Sequence, residues 1–178
     1  MPTLKAYGKH SQTQNHIFNL ENKKAMHTVY TQNPVVLISI FEHNANLIPW
    51  RETGAEVIII PMSDNGDLDY DYLQNQLDYY KDWNSLKVSS FASGSNVTGS
   101  LFDMDRIAVM CHKAGFLACF DCAATCPYQD INMNGITKHL PFEPVAEEDV
   151  KLAYKDSIFI SPHKLVGGPG SSGILLAK

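Results

Sequence analysis

The sequence predicts an α/β protein in which helices cover both faces of a mainly parallel sheet, giving three layers, αβα. From residue 35 onward, short apolar runs rich in β-branched residues alternate with segments whose apolar residues recur at helical spacing. The apolar runs are continuous rather than alternating, which is typical of strands buried on both sheet faces. Residues 1–34 are more polar and only weakly periodic, so we expect an irregular or helical lead-in there, followed by one domain over residues 35–178.

Each element follows from a local pattern. Six apolar runs are predicted as strands, at residues 35–40, 56–61, 86–91, 117–122, 157–161 and 173–177. Three helices are predicted between them, at residues 44–52, 68–80 and 103–114. Asp69 is placed to cap the second helix, whose inward face would carry Leu68, Tyr72, Leu73 and Leu77. Strands and helices in this order place a ligand beyond the carboxyl ends of the strands.

The composition restricts the kind of partner. The chain has 178 residues, a net charge of −5 and 44% hydrophobic residues, which indicates a soluble globular protein and argues against nucleic acid as its main partner. No apolar stretch reaches the roughly 18 residues that a membrane helix needs, and the first residues lack a signal-peptide core. We therefore expect no membrane partner and a cytoplasmic location, with an organelle matrix as the other possibility.

Four cysteines lie close together in the sequence, at Cys111, Cys119, Cys122 and Cys126. The C-x-x-C pair Cys119 and Cys122, with His112 nearby, makes a metal or redox site conceivable. Residues 117–122 are predicted as a strand, however, so these two side chains would point to opposite faces. The fuller spacing of a zinc site is also missing. The sequence therefore favours buried, reduced cysteines and no metal.

A single lysine, Lys164, stands between an apolar run and a glycine-rich turn over residues 165–173. Such a lysine suits covalent chemistry on a carbonyl group, because burial lowers the pKa of its amine. The glycines allow backbone conformations and close approaches that other residues do not. A surface lysine before an ordinary turn is the alternative. A nucleotide-phosphate loop is excluded, because no Gly-Lys-Ser/Thr follows the glycines.

Polar residues follow four of the predicted strands. They are His43, Asn96, Asp121 and Lys164. Because the carboxyl ends of parallel strands meet at one edge of a sheet, these side chains are expected to line one pocket. Together they would suit a ring that carries a basic nitrogen and an aldehyde.

The blocks that contain these residues resemble the class V aminotransferase family. They read E-H-N-A-N-L-I-P-W-R at 42–51, S-N-V-T-G at 95–99, D-C-A-A at 121–124, and S-P-H-K at 161–164 with its glycine loop. Their order and spacing are similar to the branch of cysteine desulfurases and selenocysteine lyases, over about residue 35 to the last. The resemblance implies a fold-type I large domain that binds pyridoxal 5′-phosphate, a small amino-acid substrate, and homodimers among intact relatives.

The resemblance also implies roles for single residues. Lys164 would be the Schiff-base lysine and would move a proton at the substrate α-carbon. Asp121 would pair with the pyridinium nitrogen of the cofactor. His43 would stack on one face of the ring and Ala123 would pack against the other.

Three further residues receive binding roles from the same resemblance. Asn96 would bind near the ring's 3′ oxygen, and Ser161 and His163 would contact the phosphate. The residues themselves leave simpler roles open: His43 could cap the helix that begins near residue 44, and Asp121 and Asn96 could be turn residues.

The chain departs from the family pattern in three respects. Ala124 stands where the family usually has glutamine, and nothing in residues 1–41 resembles the glycine/threonine turn that binds the phosphate. The sequence also lacks counterparts of the small domain, with its carboxylate-binding arginine and catalytic cysteine. We therefore expect either a cysteine desulfurase-like enzyme of amino acids or a truncated, catalytically inactive fragment that keeps the centre of the fold and lacks turnover.

Overall fold

The structure of the protein is a computed structural model that describes residues 32–137 and 142–178. It contains a six-stranded sheet. The strands are β1 (Val35–Ser39), β2 (Glu56–Ile60), β3 (Lys87–Ala92), β4 (Leu117–Asp121), β5 (Ser157–Ile160) and β6 (Ile174–Ala177). Their order across the sheet is β2-β1-β3-β4-β5-β6. The first five are parallel and β6 is antiparallel to β5. The predicted mainly parallel sheet is therefore confirmed.

The order of the strands determines where a ligand can bind. The chain passes from β1 outward to β2, then returns to place β3 on the other side of β1 and continues through β4 to β5. The direction of winding thus reverses between β1 and β3. In open α/β sheets such a reversal leaves a crevice beyond the carboxyl ends of the strands. The residues that follow β1, β3, β4 and β5 surround this part of the sheet.

Three α-helices connect the strands. They are α1 (Asn44–Thr53), α2 (Tyr70–Tyr80) and α3 (Met104–Lys113). Asp69 caps α2 as predicted, since its carboxylate accepts a hydrogen bond from Tyr72 N at 2.8 Å. Gly115 follows α3 with φ of 74°, the left-handed conformation that a glycine adopts at lowest cost.

The helices form two layers because successive strand residues point to opposite faces of the sheet. Val35 and Leu37 belong to the larger apolar cluster, which includes most of the buried residues of α2 and α3. Val36 and Ile38 belong to a smaller cluster, which Leu47 and Trp50 of α1 cover. The cysteines follow the same rule: Cys122 lies in the larger cluster and Cys119 packs against the smaller one.

A buried ion pair anchors the long connection between β4 and β5. The Lys155 side chain is fully buried, and its Nζ donates to Asp105 Oδ1 and, at 2.9 Å each, to Gly135 O and Ala153 O. Asp105 Oδ2 accepts from Thr137 N at 2.7 Å. Burial lowers the pKa of Lys155, against the opposing effect of Asp105. This cluster ties the connection to the first turn of α3.

Within residues 32–137 and 142–178, no helix has the length and apolar character needed to cross a membrane.

Candidate functional site

A cavity of about 840 Å³ lies where β1, β3, β4 and β5 end. Its lining includes every residue to which the sequence assigned a binding or catalytic role. These residues are His43, Asn96, Asp121, Ala123, Ser161, His163 and Lys164. They come from segments separated by up to 121 positions (164 − 43) and meet because their strands are neighbours in the sheet.

His43 combines two of the roles that the sequence left open. It is the N-cap of α1, with Nδ1 accepting a hydrogen bond from Ala45 N at 3.1 Å. Because Nδ1 accepts, the proton of the neutral ring is on Nε2. The helix cap therefore fixes both the orientation and the tautomer of a ring that lines the cavity.

The half-buried residue Glu42, beside His43, joins three elements through its carboxylate. Glu42 Oε1 accepts from Ser39 Oγ at 2.5 Å and from Ala92 N at 2.8 Å, and Oε2 accepts from Asn46 Nδ2 at 2.7 Å. Burial raises the pKa of Glu42 and outweighs these hydrogen bonds, which lower it. The contacts connect the end of β1, the first turn of α1 and the end of β3.

Asn46 extends this network to the cavity wall. Its Oδ1 accepts from Trp50 Nε1 at 3.1 Å and from Ser90 Oγ at 2.7 Å, and its Nδ2 donates to Ser90 O at 3.1 Å. Trp50 and Asn46 both line the cavity. The sequence reasoning missed the roles of Glu42 and Asn46, although both lie in the E-H-N-A-N block. Their spacing of four residues, one helical turn, was the available signal.

The loop after β3 presents Asn96 in an exposed turn. Ser95 Oγ accepts from Val97 N at 3.2 Å, so the turn has a side-chain support. Gly94 precedes it at a point of close approach. A Cβ on Gly94 would lie 2.8 Å from Thr125 Cγ2, which leaves no room for a side chain at this part of the wall. Asn96 is thus a turn residue, as the alternative allowed, and also a lining residue.

Asp121 is the last residue of β4, and one of its two carboxylate oxygens accepts a hydrogen bond. Oδ1 accepts from Ala123 N at 2.8 Å, which makes Asp121 a turn residue as well. Its Oδ2 has no hydrogen-bond partner among the described residues. The backbone oxygen of Asp121 accepts from Ser93 N at 2.9 Å, which holds β4 to β3. Asp121 and Ala123 line the cavity while Cys122 between them is buried, as expected for an extended segment.

The segment after β5 carries Lys164 on a single 3₁₀ turn, Pro162–Lys164. Ser161, His163 and Lys164 line the cavity. The Lys164 side chain is exposed at the rim of the cavity, as the surface alternative allowed. The reason is its place beyond the last residue of β5, where the chain has already left the sheet.

The remaining wall is largely apolar. It includes Pro49 and Trp50 of α1, Ile160 at the end of β5, and Leu175 of β6. Ala124 also lines the cavity, so the position where relatives would carry glutamine provides only a methyl group here.

The cysteines lie away from the cavity. None of the four is among the described residues that line it. Burial raises the pKa of both Cys111 and Cys122 to about 12, which keeps their thiols protonated at neutral pH. In the part of the chain that the structure covers, no group of three or more His, Cys, Asp or Glu residues is arranged to hold a metal ion.

Sequence comparison finds relatives of most of the chain. The family model "Aminotransferase class-V" matches residues 13–138, and so begins earlier than the resemblance in the sequence motifs indicates. A probable cysteine desulfurase of Mycobacterium leprae is 29% identical over 148 residues, which is 81% of this chain and 29% of that protein. The chain therefore spans less than a third of the length of this curated relative. The lead-in predicted over residues 1–34 lies largely outside the described residues. The same holds for residues 1–41, in which the sequence shows no phosphate-binding turn.

Structure comparison gives the same family of folds. The crystal structure of the cysteine desulfurase CsdA from Escherichia coli matches with a TM-score of 0.59 and 28% identity, over 82% of this chain and 32% of that one. An apo cysteine desulfurase from Thermococcus onnurineus matches with a TM-score of 0.64 and 19% identity, over 92% of this chain and 36% of that one. The second likeness concerns the fold alone. Together they confirm that the sheet and its helices have the fold of part of a cysteine desulfurase structure.

Proposed function

Because this chain belongs to the class V aminotransferase family, we propose that its cavity binds pyridoxal 5′-phosphate and that Lys164 forms a covalent bond to the cofactor's aldehyde carbon. The observation that carries the proposal is the convergence of all seven motif residues on one cavity from the ends of four neighbouring strands. Nothing in the local sequence around any one of them requires that convergence.

The donors and acceptors present suit the chemical groups of this cofactor. The Oδ2 atom of Asp121, without a partner among the described residues, would accept from a protonated ring nitrogen. His43, fixed by its cap contact, would contact one face of the ring, and Ala123 would contact the other. An alanine at that position offers a small apolar surface on which an aromatic ring can lie.

Polar residues elsewhere on the wall would hold the substituents of the ring. Asn96 would donate to the ring oxygen, while Ser161 and His163 would contact the phosphate. All three line the cavity. Their positions in a turn and in a 3₁₀ segment leave their side chains exposed or half-buried, and so able to bind a ligand.

The chemistry follows from Lys164 and Asp121. When bound, the cofactor supplies a ring that accepts electrons from the carbon next to an amino group. Asp121 would keep the ring nitrogen protonated, which maintains that electron demand. Lys164 Nζ would hold the cofactor at its aldehyde carbon, with loss of one water, and as a free amine would take up the proton of the substrate α-carbon.

We further propose a small amino acid as substrate and cysteine desulfurase-like chemistry, supported by the likeness to desulfurases. Homodimers and a cytoplasmic or matrix location are expectations of the same kind. A second candidate is cofactor binding without turnover by this chain alone. It is favoured by the cysteines, because none lines the cavity and burial keeps Cys111 and Cys122 protonated.

Covalent labelling tests the assignment of Lys164. The purified full chain is incubated with pyridoxal 5′-phosphate, reduced with borohydride, digested and mapped by mass spectrometry. We expect the label on Lys164, and no label at that position in Lys164→Ala. A Lys113→Ala variant is the matched control, since Lys113 is exposed and lies on α3. Labelling of Lys113 or other surface lysines at the rate of Lys164 would contradict the proposal.

Binding can be followed separately from attachment. Trp50 lines the cavity, whereas Trp83 donates its Nε1–H to Asn33 O, before the start of β1. The cofactor should therefore quench Trp50 fluorescence in both wild type and Lys164→Ala, but not in Trp50→Phe. Quenching that persists in Trp50→Phe would place the ligand elsewhere. Incubation with cysteine then separates the candidates: sulfide release supports the enzyme, and its absence from a labelled protein supports binding without turnover.

A further inference from the structure

We propose that Gly168 is a positioning residue that sets the location of Lys164, an inference that rests on the proposed role of that lysine. The evidence is the space around Gly168. A Cβ built on it would overlap Pro162 O and would lie 2.8 Å from Pro162 C and 3.1 Å from His163 Cα. All three are backbone atoms of the turn that carries Lys164, so no flexible side chain can move aside.

Hydrogen bonds fix the carbonyl against which Gly168 packs. Pro162 O accepts from Leu165 N at 2.9 Å, and Ser161 O accepts from Lys164 N at 3.0 Å. Gly168 N in turn donates to Leu165 O at 2.9 Å. The loop therefore folds back onto its own first turn and closes there. Any atom added at Gly168 must either open the turn or push the loop away from it.

The role of Gly168 differs from that of its neighbours. Gly167 and Gly170 have φ of 81° and 84°, so the left-handed backbone itself favours glycine there, while a Cβ would meet nothing within 4 Å. Gly168 lies outside that region of φ, and the limit is space alone. Gly173 shares neither constraint, because its Cβ would lie 3.8 Å from Ile160 O, an ordinary contact.

The consequence concerns the reach of the lysine. Restoring normal contact distances around an alanine at position 168 requires a backbone displacement on the order of 1 Å, and a misplacement of that size can reduce the rate of a positioned reaction about 100-fold. The attachment joins Lys164 Nζ to the aldehyde carbon with loss of one water, so its rate depends on where Nζ lies. Contacts of the ring with residues after the other three strands do not depend on this turn, whereas the proposed phosphate contacts of Ser161 and His163 do, so the rate of attachment should fall more than the affinity.

The test separates attachment from binding in Gly168→Ala and Gly173→Ala. The rate of covalent labelling of Lys164 is measured against the concentration of pyridoxal 5′-phosphate, which gives a dissociation constant and a limiting rate. For Gly168→Ala we expect the limiting rate to fall about 10- to 100-fold, with a smaller rise in the dissociation constant, because Ser161 and His163 lie on the same turn. Gly173 lines the cavity, but its added methyl group would not press on the turn, so Gly173→Ala should keep the limiting rate of wild type. A normal limiting rate in Gly168→Ala, or an equal loss in both variants, overturns the inference.

A second measurement tests the positioning role of Gly168 in the protein without cofactor. Hydrogen exchange followed by mass spectrometry reports the amides of Lys164 and Leu165, which donate within the turn. These amides should exchange at least about tenfold faster in Gly168→Ala than in wild type or Gly173→Ala, while exchange in β1 and β3 stays unchanged. If wild type fails to label, the proposed function fails, and unchanged exchange at these two amides then overturns the positioning role as well. Faster exchange throughout the sheet would also overturn it, since the effect would be general unfolding.

Discussion

Replacing Lys155 by methionine should destabilise the fold strongly, although Lys155 lies outside the cavity. Lys155→Met keeps an unbranched apolar side chain that is one atom shorter, and removes the charge. The variant leaves Asp105, whose side chain is only 7% exposed, as a buried charge without its cation. It also removes the N–H donors from which Gly135 O and Ala153 O accept hydrogen bonds.

The magnitude follows from the burial of both partners. Breaking a buried ion pair by removing one member costs about 3–5 kcal/mol. Domains commonly have a free energy of unfolding of about 5–15 kcal/mol, so this is a large share of the total. With a urea dependence of about 2 kcal/mol per M, a loss of about 4 kcal/mol moves the unfolding midpoint down by about 2 M. Urea titration followed by circular dichroism measures this shift.

Two further variants make the result interpretable. Lys113→Met breaks the ion pair of Lys113 with Asp149 at 2.6 Å, but Lys113 is 55% exposed, and we expect a loss below about 1 kcal/mol. Lys155→Met combined with Asp105→Leu removes both buried charges and should recover at least half of the loss. The reasoning is refuted if Lys155→Met and Lys113→Met lose equal stability, or if the double variant is less stable than Lys155→Met.

Two other predictions concern the thiols and the loop after β3. Burial raises the pKa of Cys111 from an ordinary value of 9.0 to about 12, so between these values the native state keeps a proton that the unfolded state loses. The free energy of unfolding should therefore fall as pH rises above about 9, by up to about 1.4 kcal/mol per pH unit. Urea unfolding measured across this pH range should show a shallower fall for Cys111→Ala. Gly94→Ala would place a Cβ 2.9 Å from Ser100 O, and should cost about 1–3 kcal/mol of stability and weaken the quenching of Trp50 by the cofactor. Gly135→Ala is the control, because its Cβ would lie 3.7 Å from Asn132 Nδ2, and it should leave the quenching unchanged. Equal effects of the two alanines would contradict the steric role of Gly94.

The sheet was predictable because each strand is a short run rich in apolar residues, many of them β-branched. Each observed strand lies within one residue of the predicted range, since an apolar run marks every strand, including β2 and β6, whose residues are partly or wholly exposed here. The inward face of α2 was predicted less well. Tyr72 is 38% exposed, while Leu73 and Leu77 are fully buried. Two adjacent apolar residues fit the helical period almost equally, and only packing against the sheet decides between them.

The candidate site was predictable in part, because its residues directly follow strands. Sequence order alone placed His43, Asn96, Asp121 and Lys164 at one edge of the sheet. The network through Asn46 was not predictable in the same way. Its oxygen and nitrogen bind Ser90, 44 positions along the chain, and that pairing exists only once β1 and β3 lie side by side. Exposure of Lys164 was likewise decided by tertiary structure.

The antiparallel pairing of β6 with β5 restricts how this part of the chain can vary. Ile160 pairs with Ile174 in the sheet, so residues 161–173 form a hairpin loop closed at both ends by strands. Deleting one loop residue would have to tighten a loop that already closes on Pro162, or slide β6 by one position. A slide of one position would exchange the two faces of β6 and move both Ile174 and Leu175, which line the cavity, from their places in its wall. The length of this loop, and not only its glycines, is therefore tied to the shape of the pocket.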